Sequence, residues 1–198
     1  MPEKLSTTTR DRLVTAVAEL MRAQGYSAIT VKQITAASGA PMGSLYHHFP
    51  AGKSAIAAEA LRTSGAVYIQ LLPLLMDAHA DLREAVPAAF AAAAETIEQS
   101  GWMNMCPVAT VAGEVGDSEP RIREVAAEVM NSWIDEGAGY FVRRGLGDAD
   151  ARELMVAILC ALEGAFVMSR TLRSTEPLLA AGKALGARVD ALLDMNIG

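Results

Sequence analysis

Three features of the sequence predict an all-α fold of about nine helices. Apolar residues recur three and four positions apart between Gly, Pro, Ser, Thr and Asp punctuation. No segment alternates with period two, the signature of a half-buried strand. Alanine is abundant and aromatics make up only 5% of a chain that is 52% hydrophobic. That balance favours helices packed through small side chains over a sheet of β-branched and aromatic ones.

Each helix has its own start and stop. Thr8-Thr-Arg-Asp11 reads as a capping box. Leu13, Val14, Val17, Leu20 and Met21 follow at helical spacing, and Gly25 ends the run. Thr30 can cap a short helix, Val31 to Ser38, with Val31, Ile34 and Ala37 inward. Ser38-Gly39-Ala40-Pro41 breaks it, because Gly39 can take positive φ and Pro41 is pre-set for a first helical turn. A third helix runs from about Pro41 to His48, with Leu45 and Phe49 on one face. A long helix is expected from Lys53 to Leu75, with Ile56, Ala60, Val67 and Leu71 as its inward stripe and Pro73 bending or ending it. Asp81 caps a helix to about Gln99, and Pro107 opens a short one over Val108 to Val115. Ser118-Glu-Pro120 starts another to about Arg144, with Ile122, Val125, Val129, Trp133 and Phe141 inward. Asp148 caps the eighth, Ala149 to Arg173, and Ser174 to Pro177 opens the last, which reaches about Met195.

Charge is unevenly spread. The 198 residues carry a net −6, yet residues 1–54 hold six basic side chains against three acidic ones, and the remainder eleven against twenty. A basic head on an acidic body points to an anionic partner for the head alone, or is a fluctuation of composition. Cys106 and Cys160 have no close Cys or His neighbours, so neither a disulfide framework nor a zinc site is readable, and no metal or cofactor is expected. The N-terminus lacks an apolar leader and no uncharged stretch is long enough to span a bilayer, so a soluble cytoplasmic protein is the default expectation.

The segment GAPMGSLYHHFP, residues 39–50, holds two of the three histidines. His47 and His48 are adjacent, so on a helix they point about 100° apart and do not form the i,i+4 pair that chelates an ion. No nucleophile elbow, Gly-rich phosphate loop or HExxH accompanies them, which weighs against an enzyme. Helix, four-residue turn with Gly, and second short helix is instead the spacing of a helix-turn-helix, whose second helix enters the major groove of DNA. With Leu45 and Phe49 inward, Met42, Gly43, Ser44, Tyr46 and His47 are left outside. Gly43 and Ser44 allow close approach, Ser44 can reach a base or phosphate, and Tyr46 and His47 can donate to phosphate. Thr30 and Lys53 stand at helix N-termini, where backbone N–H groups favour phosphate. The same side chains could also be the ordinary surface of a small helical domain.

Residues 30–49, TVKQITAASGAPMGSLYHHF, followed by Lys53 and preceded by LMRAQGY at 20–26, strongly resemble the DNA-binding domain of the TetR family of bacterial repressors. Cys106-Pro-Val-Ala-Thr and Ala161-Leu-Glu-Gly-Ala165 are similar to its subgroup of LmrA- and YxaF-like regulators. The resemblance implies a DNA-binding domain over residues 1–52 and a ligand-binding and dimerisation domain over 53–198. It places Thr30, Lys32, Ser44, Tyr46, His47 and Lys53 at positions that contact DNA. Met42 departs from the subgroup's usual basic residue, which exchanges a phosphate contact for an apolar one. His48 is either structural or a further contact. The resemblance also implies a homodimer through the last two helices, reading a palindromic operator and released by a small effector.

For that dimer the sequence offers Ala157, Ala161, Gly164 and Ala165 as a smooth flank, with Ile158, Leu162, Leu178, Leu185, Val189 and Leu192 as apolar area. For an effector pocket it offers soft residues: Met76, Phe90, Trp102, Met103, Met105, Cys106, Met130, Trp133, Phe166 and Met168, each of which could equally be plain core. Glu163 and Asn104 are candidate polar anchors. A planar hydrophobic effector is the expected ligand.

Overall fold

The computed structural model describes residues 8–103 and 105–195, and among them every regular element is a helix. Ten helices follow in order: α1 (Thr9–Gln24), α2 (Val31–Ser38), α3 (Met42–His48), α4 (Lys53–Tyr68), α5 (Leu71–Met76), α6 (Leu82–Gln99), α7 (Pro107–Val115), α8 (Pro120–Arg143), α9 (Asp148–Leu172) and α10 (Glu176–Met195). The all-α class stands. Asn104 lies outside the described residues.

The extra helix comes from Pro73. The expected single helix from 53 to 75 is two, α4 and α5, parted at Ile69 and Gln70. A proline ring collides with the carbonyl four residues back, here that of Ile69, and removes its i+4 donor; the Ile69 carbonyl accepts from the Leu72 N–H at 3.2 Å instead. The break therefore falls four residues before the proline, and Pro73 sits in the first turn of α5, where a missing N–H costs nothing. The expected inward stripe of α4 holds only in its first half. Ile56 and Ala60 are fully buried, but Val67 is 59% exposed and Leu71 is exposed as well. Beyond Leu61 the helix buries Gly65 instead, where an added Cβ would stand 2.3 Å from Val129 of α8.

Other sequence expectations shift by small amounts. The Thr8 capping box forms as read, and Thr30 forms one with Gln33. In α2 the buried pair is Ile34 and Ser38; Ala37 is exposed, and Val31 is half-buried. Asp148 does not cap α9: Gly147 occupies that position without a side-chain bond, and Asp148 lies in the first turn, where a carboxylate favours the helix dipole. Cys106 caps α7, its Sγ accepting from the Ala109 N–H at 3.4 Å.

Two compact units divide the chain, residues 1–65 with 106–129, and 66–105 with 130–198. The first comprises α1 to α3, most of α4, α7 and the start of α8. Its core is built from Leu13, Val17, Met21, Ile34, Leu45, Ile56 and Leu61, all at most 1% exposed.

The second unit turns on the packing of α6 against α10 and α9. Gly182 and Gly186, one turn apart on α10, lie against Phe90 and Pro87 of α6. A Cβ at 182 would stand 2.6 Å from Phe90 Cβ, and one at 186 would stand 2.8 Å from Pro87 Cγ. Arg83 fastens the start of α6 to the end of α10 through Asp194 at 2.7 Å and Asp190 at 3.3 Å. Of the expected dimer residues, Ile158, Ala165, Leu178, Leu185, Val189 and Leu192 are between 0% and 8% exposed within one chain, packed in its core. Ala161 and Leu162 remain half-buried.

By length and composition alone α9 is apolar enough to cross a membrane, but it carries Asp148, Asp150, Arg152, Glu153, Glu163 and Arg170, so the expectation that no uncharged stretch is that long stands. Gly182→Val should lower stability by about 2–3 kcal/mol through overpacking. Gly113→Ala, where nothing lies within 4 Å of the new Cβ, should be neutral or stabilise by up to about 1 kcal/mol through helix propensity. Urea denaturation of the two variants checks the contrast.

Candidate nucleic-acid interface

The turn between α2 and α3 is made by three residues with separate tasks. Gly39 adopts φ 64°, ψ 18°, the left-handed conformation that ends α2. The Ser38 hydroxyl is buried and donates to the Ile34 carbonyl at 2.8 Å while accepting from the Ala40 N–H at 3.3 Å, so one side chain partners polar groups on both sides of the turn. Pro41, at φ −61°, precedes the first turn of α3. Leu45 is fully buried and Phe49 is 5% exposed; the Arg10 guanidinium lies 5.4 Å from the Phe49 ring centroid and pairs with Glu59 at 2.7 Å.

Burial of Leu45 and Phe49 fixes what α3 presents. Met42 is 53% exposed and Tyr46 47%, with Gly43 and His47 also exposed and Ser44 half-buried. Around Gly43 nothing lies within 4 Å of an added Cβ, so the helix has an open face there. The Tyr46 ring lies along Gly52, whose φ of +66° turns the chain into α4. His48 is exposed and stands edge-on to His47, ring centroids 5.1 Å apart.

The two helix N-termini flank this face differently. Lys32 is exposed. The Thr30 side chain is engaged in its own capping box, accepting from the Gln33 N–H at 3.2 Å and donating to Gln33 Oε1 at 2.8 Å. Lys53 is half-buried. Its Nζ stands 4.2 Å from the Tyr26 ring centroid and donates to the Ser27 carbonyl at 3.3 Å.

One residue at this site had no signal in the sequence. Glu114, at the end of α7, accepts from the Tyr26 N–H at 2.5 Å and from the Ser27 N–H at 2.7 Å. Burial raises its pKa, but hydrogen bonds from the Ser27 hydroxyl and both N–H groups, with the Lys53 charge, outweigh that and hold it below the usual carboxylate range. Burial, with the Glu119 carboxylate nearby, pushes the Tyr26 phenol up.

The pocket candidates scatter. Met76, Phe90, Met105, Trp133 and Phe166 are buried in the second unit, and Phe90 is committed to the Gly182 contact. Trp133 stacks with Tyr68, centroids 6.4 Å apart. Trp102, Met130 and Glu163 are half-buried, while Met103 and Met168 are exposed. Cys106 belongs to the other unit, as the cap of α7.

The fold and this face define a regulator with a helix-turn-helix DNA-binding domain. Residues 13–60 match the model for bacterial regulatory proteins of the tetR family, and 83–184 match the C-terminal domain of LmrA/YxaF-like transcriptional regulators. The chain is 31% identical over 170 residues to the HTH-type transcriptional regulator YxaF of Bacillus subtilis, covering 86% of this chain and 89% of that protein. To LmrA of the same organism it is 28% identical over 170 residues, covering 86% and 90%. Among solved structures, the regulatory protein TetR from Rhodobacter sphaeroides shares the fold, with a TM-score of 0.77 at 24% identity over 90% of this chain and 97% of that one. The chain belongs to the TetR family of bacterial transcriptional regulators, in its LmrA/YxaF-like branch, a family of regulators and not of enzymes.

Ser38→Ala should lower stability by about 1 kcal/mol, the net worth of the lost hydroxyl bonds in the turn, measured by thermal or urea melting. Thr35→Ala, whose side chain bonds only the local Lys32 carbonyl among the described contacts, should change it by about 0.5 kcal/mol or less.

Proposed function

We propose that the protein is a cytoplasmic, homodimeric repressor that leaves a palindromic operator when a small hydrophobic effector binds residues 53–198. The observation that carries this reading is the face of α3, which projects Met42, Gly43, Tyr46 and His47 while Leu45 and Phe49 anchor it. Residues 1–52, with Lys53 at the start of α4, would supply the DNA contacts. Tyr46, His47, Lys32 and Lys53 fit phosphate, and Gly43 and Ser44 fit close approach to base edges. Met42 offers a thymine methyl an apolar partner. Thr30 can add its hydroxyl only by sharing it with Gln33.

The dimer would use the outer side of α9, which the single chain leaves uncovered. Val156, Val167, Met168 and Leu172 are 38–61% exposed, and Gly164 lies exposed between them at helical spacing. Ala161 and Leu162 border that stripe, and Leu179 extends it onto α10. So much uncovered apolar surface on one helix is what a second copy would cover. Two α3 helices about one DNA turn apart, or a multiple, would then read the operator. The effector acts by preferring the DNA-incompetent state, since a ligand shifts an equilibrium only by its differential affinity. Met76, Trp133 and Phe166, with Glu163 as a polar neighbour, are the remaining pocket candidates.

Selection of a duplex from a randomised library by the full-length protein, followed by footprinting, tests the reading; a bound site without two-fold symmetry would contradict it. Tyr46→Phe and Lys53→Ala should weaken binding to all duplexes, Lys53→Ala lowering the salt slope by about 0.9. Met42→Arg or Ser44→Ala should change which bases are selected. Val167→Glu combined with Leu172→Glu should give a folded monomer in sedimentation, whereas Leu185→Asp should unfold the chain.

A further inference from the structure

Tyr26 and Ser27, in the turn between α1 and α2, are gripped on two sides by opposite charges. Their N–H groups donate to the two carboxylate oxygens of Glu114, at 2.5 and 2.7 Å. On the other side, Lys53 Nζ caps the Ser27 carbonyl at 3.3 Å and stands over the Tyr26 ring at 4.2 Å. Gly25 makes room for the carboxylate. A Cβ there would lie 2.4 Å from Glu114 Oε2, and its φ of +78° is one that other residues rarely take.

Glu114 belongs to α7, within the segment 83–184 that matches the C-terminal regulatory domain, yet its carboxylate is spent on the turn beside the helix-turn-helix. Lys53 starts α4 and is the one lysine at the site whose amino group is held by protein atoms in the described contacts. Charge-assisted bonds to two successive N–H groups fix the Gly25–Tyr26 and Tyr26–Ser27 peptides; the Ser27 carbonyl on which the lysine rests belongs to the next peptide and follows from theirs through the φ and ψ rotations of Ser27 alone.

We propose that Glu114 is a positioning residue for DNA binding: by fixing the backbone through Tyr26 and Ser27 it places the Ser27 carbonyl and the Lys53 ammonium seated on it, so that α7 governs a phosphate contact it does not itself make. The proposal rests on the reading of Lys53 as a phosphate contact. Displacement of α7 would release the peptide, let Lys53 leave its seat, and remove one charge from the DNA-facing set without touching α3.

The test uses the full-length protein and the duplex that the wild type selects. Glu114→Gln is close in shape and keeps one acceptor, so folding is retained and is checked by melting. In the wild type, the Tyr26 and Ser27 amides should be protected from hydrogen exchange; unprotected amides would overturn the proposal without any variant. In Glu114→Gln both should exchange roughly tenfold faster, with the amides within α2 unchanged. Affinity for the duplex should fall roughly tenfold and the salt slope should become shallower by about 0.9, the signature of one lost phosphate contact. In a Lys53→Ala background, Glu114→Gln should cost nothing further. A shallower slope in Lys53→Ala but not in Glu114→Gln would overturn this proposal alone, as would losses that add in full in the double variant. A wild-type slope in Lys53→Ala would overturn the phosphate role of Lys53 and this proposal with it.

Discussion

With seven residues, α3 is far below the roughly 12–15 that an isolated helix needs in water, so it exists only because Leu45 and Phe49 are buried. Everything the DNA-facing surface can do follows from that pair. They set the rotation of the helix, and rotation decides that Met42, Gly43, Tyr46 and His47 look outward. The same burial requires a turn that changes direction in three residues, which is the work of Ser38, Gly39 and Pro41. Substitutions on the exposed face change what is read, while substitutions at the anchors remove the reader.

Much of this was legible in the sequence because it is local. Capping boxes, a left-handed glycine and a proline each act within four residues, and the spacing of Leu45 and Phe49 is a one-helix property. The break in α4 was half legible: Pro73 announced it, but its place follows from the carbonyl of Ile69 rather than from the proline itself. The α10 helix was legible as amphipathic, but its neighbour within the chain was not. A pattern of Leu178, Leu185, Val189 and Leu192 says that a face will be covered and is silent on by what. The deciding residues were Gly182 and Gly186, whose meaning appears only when Pro87 and Phe90 are beside them. Glu114 was illegible for a similar reason, since 88 residues separate it from the Tyr26 amide.

The electrostatic plan is also clearer in three dimensions than in a charge count. The basic head is not merely surplus positive charge. Arg10 is tied to Glu59 and Lys53 rests on a carbonyl and an aromatic face, while Lys32 is exposed. Paired cations hold shape and fix where charge is displayed; exposed ones chiefly raise encounter rates and affinity at low salt. Dividing the head's charges in this way makes its DNA affinity and its rigidity partly separate properties.

The glycines of α10 carry a consequence of timing. Each costs the helix about 1 kcal/mol in intrinsic propensity relative to alanine, so α10 is a poor helix until α6 is there to receive it. Yet α6 is made first and α10 last. At roughly 5–20 residues per second the ribosome needs on the order of 5–20 s to pass from one to the other. Throughout that interval the Pro87 and Phe90 side of α6 stands without its cover, and the nascent chain must shelter it with α9 or by other means. The close fit that locks the finished unit is therefore also its period of greatest exposure during synthesis.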